Sequence, residues 1–62
     1  MKRRDLIRHL LTHGCVLLGE GGRHSWWGHA TGDRRSAVPR QTEIVDALAR
    51  KICKDLAIPP PG

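Results

Sequence analysis

The first apolar stripe lies near the start of the chain. Between Arg4 and His13 the apolar side chains recur at positions i, i+1, i+4 and i+5, namely Leu6, Ile7, Leu10 and Leu11. This spacing places them on one side of an α-helix. Asp5 in the first turn and His13 in the last both suit the helix dipole, and Gly14 is a typical residue just past a helix end. The pattern therefore predicts a helix over residues 4–13.

The following stretch predicts three short strands. Residues 15–18 are a short apolar run next to glycines, which favours a strand over a helix. Residues 19–22 are rich in glycine and predict a turn, and residues 23–30 contain two β-favouring tryptophans that suit the partner strand of a hairpin. A third strand over 35–38 follows a second turn and ends at Pro39, because proline has no N–H to donate to a ladder.

A second amphipathic helix completes the pattern. Its apolar stripe consists of Ile44, Val45, Leu48, Ile52 and Leu56. Thr42 is predicted to cap this helix, with Glu43 in its first turn, and the Pro-rich residues 59–62 form a stiff or disordered tail. The predicted fold class is α+β, in the order α-β-β-β-α, with a three-stranded antiparallel sheet and both helices on one face. We expect one domain over residues 1–58.

Composition indicates the kind of partner. Eleven Lys and Arg against six Asp and Glu give the 62-residue chain a formal charge of +5, which favours a nucleic acid or an acidic protein as partner. No apolar run approaches the ~20 residues that span a bilayer. The first residues are charged and the chain has only two cysteines, so we expect a cytoplasmic protein with reduced thiols.

The candidate chemistry is concentrated between Gly21 and His29, where both tryptophans of the chain lie beside His24. A histidine with an ordinary pKa near ~6.5 can take a proton from an RNA 2′-hydroxyl, and arginines can offset the charge that develops at phosphorus. The residues therefore make His24 a candidate general base for the cleavage of bound RNA. The alternative is an exposed strand histidine without a role.

Strand alternation divides the residues of this segment between two faces. His24 and Trp26 share one face, and Ser25, Trp27 and His29 share the other. One tryptophan should therefore be buried and the other exposed, where it could stack on an RNA base or contact a protein partner. His29 is expected to be structural or to bind RNA from the rim.

The best candidates for phosphate contact are Arg23, Arg34 and Arg35, because we expect the sheet and its hairpin to place them near His24. Gly22, with the glycine before it, would let the backbone approach a phosphate closely. The other basic side chains are expected to be solvated charges. His9, His13 and Cys15 do not have a zinc spacing, so no metal or other cofactor is expected, and the cysteines are expected to be buried apolar residues.

Several motifs occur in an order that resembles one known family. They are Asp5-Leu6-Ile7, a helix end at Gly14, Gly22-Arg23-His24, Trp27-Gly28-His29, Val38-Pro39, and the closing helix at residues 48–52 with Leu56-Ala57-Ile58 behind it. Over residues 2–58 the chain resembles HicA, the small toxin of HicA–HicB toxin–antitoxin systems. It differs from the family pattern at Arg23, at Gln41 and at Cys15, which stand where the family often has a small residue, a histidine and an aromatic residue.

The resemblance implies a fold like that of double-stranded-RNA-binding domains, ribonuclease activity on mRNA, and inhibition by a HicB-like antitoxin. His24 matches the family's catalytic histidine. The family aromatic aligns with Trp27, which assigns Trp27 to the core and leaves Trp26 exposed. His24 and Trp26 would then lie under the antitoxin. Two alternatives remain: a non-catalytic RNA-binding module of similar fold, and a small domain that binds only an acidic protein.

Overall fold

The computed structural model describes all 62 residues. The elements are α1 (Arg3–Thr12), β1 (Cys15–Glu20), β2 (His24–His29), β3 (Arg35–Pro39) and α2 (Asp46–Asp55). This order confirms the predicted α-β-β-β-α arrangement. β1 runs two residues further than the predicted strand, to Glu20, so the first hairpin loop is shorter than expected. Neither helix is long and apolar enough to span a membrane.

The three strands form one antiparallel sheet with β2 in the centre. Trp27 of β2 pairs with Leu17 of β1, and the register then shifts so that Gly19 pairs with Trp26. On the other side His24 pairs with Pro39 at the start of β2. The register therefore brings the end of β3 directly beside the candidate catalytic histidine.

Both helices pack on one face of this sheet, as predicted. The buried cluster combines side chains from every element: Leu6, Leu10, Cys15, Trp27, Val38, Ile44, Ala49, Ile52, Cys53 and Leu56. Trp27 is 8% exposed, which confirms its assignment to the core. Trp26 is 43% exposed on the opposite, open face of the sheet, as the alternation of β2 predicts.

The start of α2 differs from the prediction. Thr42 does not cap the helix; instead, its carbonyl accepts a hydrogen bond from the Arg3 N–H at 2.7 Å. The Ile44 N–H donates to the Met1 carbonyl at 2.8 Å, so this segment lies extended and antiparallel to the first residues of the chain. The helix therefore begins only at Asp46, and Val45 is the N-cap residue, 68% exposed instead of part of the buried stripe.

Candidate active site

His24 is the first residue of β2, directly after the loop that joins β1 to β2. The His24 carbonyl accepts a hydrogen bond from the Gly21 N–H at 2.8 Å, which closes a tight hairpin with Gly22 and Arg23 at its tip. The imidazole is exposed and makes no hydrogen bond to another protein group. Its nitrogens are therefore free to accept or donate a proton at a bound substrate.

His24 lines an open cleft of about 540 Å³ between this hairpin and the segment that follows β3. The cleft is lined by Gly22, Arg23, His24, Pro39, Arg40 and Gln41. It contains one imidazole, two guanidinium groups and no carboxylate. Such a lining can take a proton from a hydroxyl and hold an anionic group next to it.

A polar network lies beside the cleft and ties it to the first helix. Arg3 donates from Nε to the Pro39 carbonyl at 2.8 Å and from Nη2 to the Ser25 hydroxyl at 3.2 Å. The Ser25 hydroxyl, which is buried, donates to Oε1 of Glu20 at 3.0 Å. The expectation that Arg3 is a solvated charge is wrong. Its half-buried side chain joins α1 to β2 and β3 next to His24.

Arg40 was also expected to be a solvated charge, but the structure places it in the wall of the cleft. Its guanidinium forms an ion pair with Glu20 and donates to the Gly21 carbonyl at 2.7 Å. Its backbone N–H donates to the Arg23 carbonyl at 3.3 Å. The strand pairing of His24 with Pro39 is what brings Arg40 here, so no local sequence pattern could have identified it.

The three predicted phosphate-contact arginines do not lie together. Arg23 lines the cleft beside His24. Arg35 instead pairs with Gly28, four residues further along β2, which is roughly 13 Å from His24 at the usual strand rise. Arg34 immediately precedes it. The expected proximity of Arg34 and Arg35 to His24 is therefore wrong for the backbone, because the second hairpin lies at the opposite end of β2.

The side chain of Arg35 nevertheless reaches back along the open face of the sheet. Its guanidinium carbon lies 5.6 Å from the ring centroid of Trp26, a cation–π distance. Trp26 and Arg35 therefore form an exposed aromatic and cationic surface between the cleft and the second hairpin.

The backbone at Gly22 is uncovered on the side of the cleft: an added Cβ would meet no other atom within 4 Å.

The remaining histidines lie away from the cleft. Nε2 of His29 lies 2.6 Å from the Leu56 carbonyl and links β2 to the end of α2, on the helix side of the sheet. This contact supports the structural interpretation of His29. Nε2 of His9 lies 2.7 Å from the Pro59 carbonyl. No group of three His, Cys, Asp or Glu side chains in the structure is arranged to hold a metal ion.

The fold and the cleft define a small basic α+β protein with one exposed imidazole in a cleft that two arginines also line. A search against protein-family profiles matches residues 3–58 to the family described as the HicA toxin of bacterial toxin–antitoxin systems. This match covers most of the chain, so the protein belongs to the HicA toxin family. It is a toxin of a toxin–antitoxin system, in a family whose members are generally ribonucleases and pair with an antitoxin. Searches of curated proteins and of solved structures found no match.

Proposed function

We propose that this toxin is a metal-independent endoribonuclease that cleaves mRNA with His24 as the general base. The observation that carries the proposal is the position of His24: exposed, without a protein partner, and flanked by Arg23 and Arg40 in one cleft. His29 differs from His24 in this respect, because its ring contacts the Leu56 carbonyl.

The reaction follows from the groups present in the cleft. His24 takes the proton of an RNA 2′-hydroxyl, and the 2′-oxygen bonds to phosphorus as the bond from phosphorus to the 5′-oxygen breaks. The guanidinium groups of the cleft offset the charge that builds up on the phosphate oxygens. The departing 5′-oxygen takes its proton from water or from the His24 imidazolium. The products are a 2′,3′-cyclic phosphate and a 5′-hydroxyl.

The RNA on either side of the cleaved bond would follow the open face of the sheet. Gly22 and Arg23 contact the phosphate next to the scissile bond, where the backbone is uncovered. Trp26 stacks on a neighbouring base, and Arg34 and Arg35 bind phosphates towards the far end of β2. In this arrangement Arg34 and Arg35 contribute to affinity and not to the chemical step.

The same surface would bind the antitoxin. We propose an acidic, HicB-like protein that covers His24 and Trp26 and so keeps RNA out of the cleft. The formal charge of +5 and the 43% exposure of Trp26 support this assignment, since interface anchors are often aromatic. In so small a domain, occlusion is a simpler form of inhibition than a change of shape at a distance.

The decisive experiment compares His24→Ala with His29→Ala. Purified wild-type protein should cleave mRNA in the presence of a chelator, and His24→Ala should lower the rate by roughly 10²–10⁴-fold. The fold of His24→Ala should persist because the side chain is exposed and unbonded. His29→Ala should lose stability through the Leu56 contact while its folded fraction keeps cleaving.

Two results would contradict the proposal. Cleavage by His24→Ala at the wild-type rate would exclude His24 as the base. Mass spectrometry that finds only 5′-phosphate ends would indicate an activated water instead of the 2′-hydroxyl.

The second candidate function is a non-catalytic RNA-binding module. The cleft contains no second acid or base besides His24, and this absence favours a function in binding without cleavage. RNA that stays intact but binds both wild-type protein and His24→Ala would identify this function. If neither protein bound RNA, the remaining interpretation would be a domain that binds only an acidic protein.

A further inference from the structure

We propose that Arg40 is the phosphate-binding residue beside His24, and that Glu20 occupies Arg40 until an RNA phosphate displaces the carboxylate. This inference rests on the proposed ribonuclease function and adds to it a named substrate contact and its competitor. Arg40 and Glu20 form an ion pair at the cleft.

The donors of the Arg40 guanidinium limit how it can bind an anion. An arginine has five N–H donors, and it grips an anion with two parallel bonds along either the Nε–Nη2 edge or the Nη1–Nη2 edge. Both protein partners of Arg40, Glu20 Oε2 and the Gly21 carbonyl, are bound through Nη2. Since Nη2 belongs to both edges, no complete edge is available while both partners stay. A phosphate that binds with two parallel bonds must therefore displace either Glu20 or the Gly21 carbonyl. We expect it to displace Glu20, because the carboxylate and the phosphate are both negatively charged.

Position distinguishes Arg40 from the other arginines of the surface. Arg40 lines the cleft with His24, and its Gly21 contact holds the guanidinium near the hairpin tip. Arg23 lines the same cleft, but no side-chain hydrogen bond holds its guanidinium in place, so fixing it on a phosphate would cost side-chain entropy. Arg35 lies over Trp26 instead. Arg40 is therefore the one cation of the cleft that is already oriented.

Glu20 is suited to release Arg40 without losing its own place. Its Oε1 accepts the Ser25 hydroxyl, which in turn accepts from Arg3, while its Oε2 faces Arg40. Ser25 can therefore keep Glu20 in position when a phosphate takes over the guanidinium. The Glu20 and Arg40 side chains are 51% and 44% exposed, so the exchange takes place at the surface, where breaking an ion pair costs little.

The test uses variants that change RNA affinity in opposite directions. Binding of a 2′-O-methyl RNA, which cannot be cleaved through its 2′-hydroxyl, is measured over a salt series for wild type, Arg40→Ala, Glu20→Gln and Arg50→Ala. Arg40→Ala should weaken binding by about tenfold at low salt and reduce the slope of log affinity against log salt by about one. Glu20→Gln should strengthen binding by about threefold, because Arg40 is then free of its carboxylate while an amide oxygen still accepts from Ser25.

Arg50→Ala is the matched control. It removes the same charge from an exposed position on α2, a helix packed on the opposite side of the sheet, and should change affinity by less than about twofold. Arg40→Lys keeps the charge but cannot form two parallel bonds, so it should keep the salt slope and lose part of the affinity and of the cleavage rate with unmodified mRNA. Arg40→Lys and Glu20→Gln carry the test if Arg40→Ala does not fold.

The outcomes separate this inference from the function on which it rests. If wild-type protein neither bound nor cleaved RNA, the proposed function would be wrong. If wild type cleaved mRNA while Arg40→Ala behaved like Arg50→Ala, only the role of Arg40 would be overturned. Equal losses of affinity in Arg40→Ala and Glu20→Gln would show that the ion pair serves the fold alone.

Discussion

Cys15 and Cys53 are both unpaired and lie in the core, each about 1% exposed. Burial raises the pKa of both thiols above the ordinary value, because an apolar surrounding disfavours the thiolate. The neighbouring Cys15 raises the pKa of Cys53 further. At neutral pH both side chains therefore behave as small apolar residues, as their sequence context predicts, and not as nucleophiles.

These raised pKa values predict how stability depends on pH. Above about pH 9.0 the thiols of the unfolded chain lose their protons while those of the native protein keep them. The unfolded state then binds fewer protons than the native state. The contribution of the thiols to the free energy of unfolding should therefore stay constant below pH 9 and fall as the pH rises above it. Urea unfolding at pH 7, 9 and 10 measures this pH dependence of the free energy of unfolding.

The double variant Cys15→Ala/Cys53→Ala is the control, and its stability should fall less steeply over the same pH range. Iodoacetamide at pH 8 should modify the native thiols far more slowly than the thiols in urea. Equal rates in the two conditions would mean that the cysteines are not protected by the core.

At the scale of the elements, the second hairpin depends on Gly28. An added Cβ at Gly28 would lie 2.1 Å from the Arg34 carbonyl oxygen and 2.9 Å from Cδ1 of Leu18. β2 can therefore approach the turn before β3 this closely only without a side chain at this position. Because Gly28 has no side chain, Leu18 of β1 can lie over β2 on the open face of the sheet, where it remains an exposed apolar residue.

Gly28→Ala should destabilise the protein by about 1–3 kcal/mol, since the backbone must move to admit the methyl group. Gly19→Ala is the matched change on β1, where an added Cβ meets no other atom within 4 Å, and it should have little effect or stabilise slightly. Urea unfolding of the two variants measures the difference. Equal stability would mean that the hairpin adjusts without cost.

At the scale of the whole molecule, the two faces of the sheet differ in what covers them. The helices bury one face, while the other exposes Trp26 near the cleft and Val16 and Leu18 towards the second hairpin. An exposed apolar surface of this kind on a basic protein is typical of an interaction site. A toxin that pairs with an antitoxin has a partner that could cover it.

If the antitoxin covers this face, Trp26→Ala should weaken the complex by about 2 kcal/mol or more, as expected for an aromatic interface anchor. The tryptophan fluorescence of the toxin should change when the complex forms, and 2′-O-methyl RNA should compete with the antitoxin. Val45→Ala serves as the control, because Val45 is an exposed apolar residue at the start of α2, on the helix side. A stable ternary complex with unchanged RNA affinity would exclude inhibition by occlusion.

The features that depend only on neighbouring residues could be predicted from the amino-acid sequence. The helical spacing of apolar residues identified both helices, and an apolar run, the β-favouring tryptophans and Pro39 identified the three strands. Alternation along β2 placed Trp26 and Trp27 on opposite faces, and the family resemblance assigned Trp27 to the core. Alternation also placed His24 and His29 on opposite faces. These predictions succeed because the direction of a side chain depends on its own element and not on distant contacts.

Which distant residues share the cleft depends on how the elements pack together, and could not be predicted from the sequence. The bond from Arg3 to Pro39 spans 36 residues and that from Arg40 to Glu20 spans 20, so neither follows from a local pattern. The late start of α2 has the same origin, since the Thr42 carbonyl binds Arg3 at the other end of the chain. Strand register also separates Arg34 and Arg35 from His24. Register and docking result from the packing of the whole core, and no short segment contains that information.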